Sequence, residues 1–191
     1  MTLTCYANVH HQFINIPKNA STSILAAMFG IGGKSVEDIH VEAAKHRELY
    51  RENGPPAFVV LRHPWRRFYS TWMNKVYQPH RPDTNLIKMG CHAGMDLYEF
   101  ANYCLAKPEL FNDPHLRPQS EYLPDGAYDV LVHEDLDIYW DRLGYSALYG
   151  PLERLNSTDH PAPPHRTSLR GAIEAKYRKD MQQWNLAFGS Y

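Results

Sequence analysis

Lys18, Ser21, Thr22 and Ser23 stand together in the run Pro17-Lys18-Asn19-Ala20-Ser21-Thr22-Ser23. One cation and three hydroxyls within six residues are suited to holding an anion. An apolar stretch at 13–16 (Phe-Ile-Asn-Ile) precedes them and reads as a buried strand. After them, residues 22–29 are good helix formers with apolar positions on one face. A strand, a lysine-bearing loop and a helix present backbone N–H groups and the positive end of a helix dipole to a phosphate. The pattern is not a Walker A loop, which sets its lysine beside the helix and needs glycines for close backbone approach. Lys18 instead precedes the hydroxyls, and the loop has no glycine. Hydroxyls acting only as helix caps remain the competing reading.

Stepping outward, Gly30 marks the end of the first helix. Ser35 and Asp38 are candidate caps for a segment reaching Tyr50, and 53–56 (Asn-Gly-Pro-Pro) break the chain again. Ala57-Phe58-Val59-Val60-Leu61 is the clearest strand, apolar throughout and so expected to be central and buried on both faces. Arg62 follows it at the carboxyl end, where open α/β sheets place their ligands. Pro64 suits the first turn of a helix whose Phe68, Trp72 and Val76 face a core, with Ser70 on the same helix. The bland reading makes Arg66 and Arg67 a solvated face and Ser70 incidental, and it is favoured for Arg66 and not for Arg62. A second buried strand is expected at 128–132. Further helices are expected at 96–105, at 136–143 and, after a proline-rich loop, at 169–188. Residues 85–92 read as a mobile segment. The alternation of strands and helices predicts an α/β, three-layer sandwich around a central, mainly parallel sheet in one domain spanning 1–191.

The two runs Ile16-Pro17-Lys18-Asn19-Ala20-Ser21-Thr22-Ser23 and Leu61-Arg62-His63-Pro64-Trp65-Arg66-Arg67-Phe68-Tyr69-Ser70 resemble the cofactor signatures of PAPS-dependent sulfotransferases. The nearer likeness is to the carbohydrate branch, which includes the heparan sulfate 2-O-sulfotransferases and HNK-1-type enzymes. In that family the first motif reads roughly I-P-K-x-G/A-S-T-S and the second R-D-P-x-x-R-x-x-S. The chain departs at His63, where Asp is usual, and at Asn19 and Ala20, where Thr-Gly is common. The resemblance implies a P-loop-like fold and PAPS as sulfuryl donor, with no metal required. It implies that Lys18, Asn19, Ala20, Ser21, Thr22 and Ser23 hold the 5′-phosphosulfate and that Arg62 and Ser70 hold the 3′-phosphate. It further implies donor contacts from Arg166, Thr167 and Ser168, ahead of a closing helix whose Ile173, Tyr177 and Asp180 fit an I-x-x-x-Y-x-x-D pattern. Lys18 has the catalytic part of offsetting charge on the leaving phosphate. His40, 22 residues before Arg62, matches the place of the family's catalytic base, with Glu37 and Glu42 as alternatives. The segment Asp113-Pro114-His115-Leu116-Arg117-Pro118-Gln119 resembles an H-x-x-P-Q element near the acceptor, which points to His115, Arg117 and Gln119 as substrate contacts. The acceptor implied is a hydroxyl, of a carbohydrate.

Composition narrows the alternatives. Twenty basic against 21 acidic residues leave a net charge of −1, which offers no global attraction to nucleic acid, an anionic membrane or a long polyanion. No apolar run reaches membrane-spanning length, and the start lacks a basic-then-apolar leader. Three cysteines without metal-ligand spacing suggest reduced thiols, and together these features suggest a soluble cytoplasmic protein. Most of the eleven histidines are expected at the surface. Two other readings remain: a small-molecule kinase using Mg-ATP, and a non-catalytic anion- or glycan-binding module on the same fold.

Overall fold

The computed structural model describes residues 3–77, 84–155 and 167–189. The chain separates into two compact units, the first from Met1–Arg62, Tyr122–Thr158 and Leu186–Tyr191, the second from His63–Glu121 and Asp159–Asn185.

The first unit is built on a five-stranded sheet ordered β3-β1-β2-β4-β5, comprising β1 (Thr4–Ala7), β2 (Gln12–Ile14), β3 (Arg47–Leu49), β4 (Ala57–Leu61) and β5 (Asp129–Val132). β2–β4 and β4–β5 pair in parallel, whereas β1 pairs antiparallel with both β2 and β3. The sheet is therefore mixed, and the expectation of a mainly parallel one is corrected. The added strands lack the continuous apolar run that marks a buried parallel strand. β1 is a short stretch that is not fully buried, and all three residues of β3 are exposed. Backbone pairing makes them strands. Asn8 closes the β1–β2 hairpin, its Oδ1 accepting from the amides of His10 and His11 at 2.9 Å each. By contrast every residue of β4 is buried, and Phe58 stacks on Phe13 of β2 at 5.1 Å.

Helix α1 (Ser21–Phe29) follows β2, and Gly30 ends it in the left-handed conformation (φ 62°). Ile31 N–H reaches back to the Ala26 carbonyl at 3.0 Å, satisfying a last-turn acceptor. Helix α2 (Val36–Ala44) is capped by Ser35, whose hydroxyl oxygen accepts from the Asp38 amide at 3.2 Å. Beyond β5 come α6 (Leu136–Arg142) and α7 (Tyr145–Tyr149), numbered in chain order after three helices of the second unit.

The second unit holds α3 (Pro64–Trp72), α4 (Thr84–Lys88), α5 (Leu97–Ala106), α8 (Thr167–Lys176) and most of α9 (Arg178–Gly189). Its core gathers Trp65, Phe68 and Trp72 from α3 with Phe100 and Cys104 from α5 and Ile173 from α8. Asp96 caps α5 by accepting from the Glu99 amide at 2.9 Å. Residues 84–88 form a helix with Leu86 wholly buried, where a mobile segment was expected. The single helix expected over 169–188 is interrupted at Tyr177, although Tyr177 N and Met181 N keep their bonds to the Ile173 and Tyr177 carbonyls. All three cysteines are buried and outside any disulfide, and burial pushes the Cys5 thiol up to about 11.

Candidate functional site

The loop between β2 and α1 is where the chain bends most unusually. Lys18 (φ 73°) and Ala20 (φ 62°) both adopt the left-handed conformation, which costs an L-residue about 1–2 kcal/mol. Between them the Asn19 amide donates to the Ile16 carbonyl at 3.3 Å, which closes the turn ahead of α1. Two bonds to β4 and its end oppose the strain. Asn19, 1% exposed, donates its Nδ2 to the Val60 carbonyl at 2.6 Å. Arg62 donates its Nη1 to the Lys18 carbonyl at 2.9 Å. Asn19 thus faces inward between the two left-handed residues, and Arg62 grips the backbone of the residue bearing the cation.

Ala20 is the N-cap of α1 and supplies no side-chain acceptor to its first turn. The hydroxyls at the helix start have separate partners. Ser21 donates to Asn15 Oδ1. Ser23 Oγ accepts from the Leu155 amide at 3.0 Å and lies 3.4 Å from the Leu155 carbonyl. Thr22 Oγ1 lies 3.1 Å from His40 Nε2, joining the first turn of α1 to α2. His40 is half-buried, and desolvation lowers its pKa below the ordinary histidine value. It is therefore neutral at pH 7 and holds a lone pair able to take a proton. Glu42 is drawn instead into a pair with Lys45 at 2.7 Å on the surface, and Glu37 is exposed. Lys18, Asn19, Ala20, Ser21, Thr22, Ser23, Arg62 and His40 thus fall within one unit, in and around the turn that leads into α1.

The remaining candidates lie in the second unit. Ser70 is buried on α3, its carbonyl accepting from Asn74 Nδ2 at 2.9 Å. Residues 113–120 form a tightly held segment. Arg67, 2% exposed, donates to the carbonyls of Arg117 at 2.9 Å and Pro114 at 3.2 Å. Thr71 Oγ1 donates to the His115 carbonyl at 3.1 Å, and the Tyr177 hydroxyl to the Leu116 carbonyl at 2.5 Å. The Asp180 carboxylate accepts from the amides of Gln119 at 2.6 Å and Ser120 at 2.9 Å. Of the three expected substrate contacts, His115 pairs with Asp113 at 3.1 Å, Arg117 donates to the Asn112 carbonyl at 3.2 Å, and Gln119 is buried. Tyr177 and Asp180 of the I-x-x-x-Y-x-x-D pattern thus hold the segment carrying these residues. Ser168 is exposed on α8, and Thr167 begins that helix. Arg166 lies outside the described residues.

His63 is the one buried histidine among those described; His10, His46 and His92 are exposed and His11, His40, His115 and His133 are partly buried. Its Nδ1 accepts from the Trp65 amide at 3.2 Å and caps α3, the service an aspartate would perform there. That bond leaves the ring proton on Nε2, which faces Glu174 Oε1 at 3.5 Å. The residue that breaks the second motif therefore preserves its local geometry. What the motifs did not reveal are the Thr22–His40 contact and the anchoring by Arg67 and Asp180. The solvated-face reading is corrected for Arg67, which lies three positions from Pro64 on the inward side of α3 and is buried, while Arg66 is exposed.

Among the described residues no group of three His, Cys, Asp or Glu side chains could hold a metal ion, and no helix is long and apolar enough to cross a membrane. No curated protein and no solved structure gives a significant match. Residues 9–149, which include both motifs, β2, β4 and β5, match the model of the sulfotransferase family, and the chain belongs to that family.

Proposed function

We propose that the protein transfers a sulfuryl group from PAPS to a hydroxyl of a carbohydrate or glycan-bearing small molecule. The observation that carries this reading is the left-handed, lysine-bearing turn that leads into the first turn of α1, with His40 Nε2 held 3.1 Å from Thr22 Oγ1. The donor's 5′-phosphosulfate would lie against the amides of α1 and Lys18, and Arg62 and Ser70 keep the 3′-phosphate role that the resemblance implies. His40 takes the acceptor's hydroxyl proton as the acceptor oxygen bonds to sulfur. The bond from sulfur to the bridging phosphate oxygen breaks in line, and its electron pair stays on that oxygen as PAP leaves. Lys18 offsets the charge gathering there, the kind of fixed electrostatic stabilisation that needs no reorganisation during reaction. His115, Arg117 and Gln119 belong to this proposal as acceptor contacts, and Thr167 and Ser168 as donor contacts. The three-layer, single-domain arrangement is the architecture it implies. A net charge of −1 favours a small or neutral acceptor over a long sulfated polymer.

The test is calorimetric titration of PAP, and separately of ATP with magnesium, into wild type and Arg62→Ala. Metal-independent PAP binding that Arg62→Ala abolishes is the expected result. Magnesium-dependent ATP binding with PAP ignored would replace this reading with a kinase. His40→Ala should bind PAP as wild type does and lose about 10²–10⁴-fold in transfer rate, the usual worth of a positioned base. An unchanged rate would remove His40 from the chemistry.

A further inference from the structure

The Thr22–His40 contact can be made in two ways. The hydroxyl can donate to Nε2, which then carries the lone pair while the ring proton sits on Nδ1. Alternatively Nε2–H donates to the hydroxyl oxygen, and Nδ1 carries the lone pair. A threonine hydroxyl has a single proton, so whatever claims that proton decides between the two. Thr22 is the second residue of α1, on the turn whose N–H groups face the cradle, and is itself 5% exposed. Its neighbours already direct their protons elsewhere, Ser21 to Asn15 Oδ1 and Ser23 to the Leu155 carbonyl at 3.4 Å, so Thr22 is the hydroxyl of the three whose proton can be redirected. Among the described residues Thr22 is also the sole hydrogen-bond partner of the His40 ring.

We propose that Thr22 is a positioning residue that couples occupancy of the anion cradle to the tautomer of His40. A phosphate oxygen against the first turn of α1 accepts the Thr22 hydroxyl proton. The hydroxyl oxygen is left to accept from His40 Nε2–H, and Nδ1 becomes the nitrogen with the free lone pair. The proton-accepting atom of the base is thereby set when donor or product phosphate is in place. Desolvation keeps the imidazole neutral, the form in which the choice of tautomer exists. The inference rests on the sulfuryl-donor reading above and adds to it which ring nitrogen acts and what selects it.

The experiment is nitrogen-15 NMR of the imidazoles in the full chain, with and without saturating PAP, above the pKa of His40. His40→Gln assigns the signal. PAP is expected to shift the ring toward the Nε2–H form by about fivefold or more in tautomer ratio, the bias a single hydrogen bond can hold. Thr22→Val should bind PAP without that shift, and Thr22→Ser should restore it. PAP-saturated wild type with the proton on Nδ1, or a Thr22→Val variant that responds as wild type does, would overturn the coupling alone. Failure of wild type to bind PAP would overturn the coupling and the donor reading together.

Discussion

Ala20 is the position at which the cradle's strain can be measured. Its φ of 62° and ψ of 23° place a methyl-bearing residue in the left-handed well at the start of α1. That conformation costs an L-residue about 1–2 kcal/mol, and glycine adopts it without a Cβ penalty. Replacing Ala20 by glycine also frees the unfolded chain, which returns about 0.4–1 kcal/mol of the gain. We therefore predict that Ala20→Gly stabilises the protein by about 0.5–1 kcal/mol, against the general rule that glycine weakens. Ala27→Gly, a partly buried position within α1 itself, is the control and should cost about 1 kcal/mol. Urea unfolding reports both as shifts of the midpoint at constant slope. A destabilised Ala20→Gly, comparable to Ala27→Gly, would refute the account of a strained loop. Ala20→Val, β-branched at the same φ, should be the least stable of the set.

Three further outcomes follow from other contacts. Asp180→Ala strands the buried amide of Gln119, at about 1–3 kcal/mol, and the half-buried amide of Ser120 besides, so a loss under 1 kcal/mol in urea unfolding would show that the carboxylate is not their anchor. His63→Asn should keep the α3 cap and near wild-type stability, whereas His63→Ala should cost about 1 kcal/mol; equal losses from both would exclude the capping role. His11 and His40 both have pKa values lowered first by burial, so the unfolded chain binds more protons than the folded one below the ordinary histidine value of about 6.5. Stability should therefore fall as pH drops from about 6.5 toward the folded-state values, and His40→Gln should flatten that slope; an unchanged slope in the variant would contradict the burial assignment.

The strands and helices legible in the sequence are those whose side chains carry the signal. Ala57–Leu61 announces itself by five consecutive apolar residues, all of them buried. Gly30 and Ser35 stop and start their helices through local backbone chemistry that needs no tertiary partner. β3 has no such signature: Arg47, Glu48 and Leu49 are exposed and become a strand because β1 offers an edge to pair with. Lys18, the hydroxyl run and Arg62 could likewise be read from residue type and spacing, since an anion site needs donors near a helix start. Sequence alone determined which groups this protein has to work with: a lysine and a run of hydroxyls between a strand and a helix, an arginine at the end of the next strand, and a histidine between them. Only the tertiary structure decided how those groups are used. It turned Asn19 inward, put Arg62 on the Lys18 carbonyl, made His63 a cap and brought Thr22 to His40 across 18 residues. The physical reason is that composition and periodicity encode burial, whereas the partner of a polar side chain depends on which distant backbone folding delivers to it.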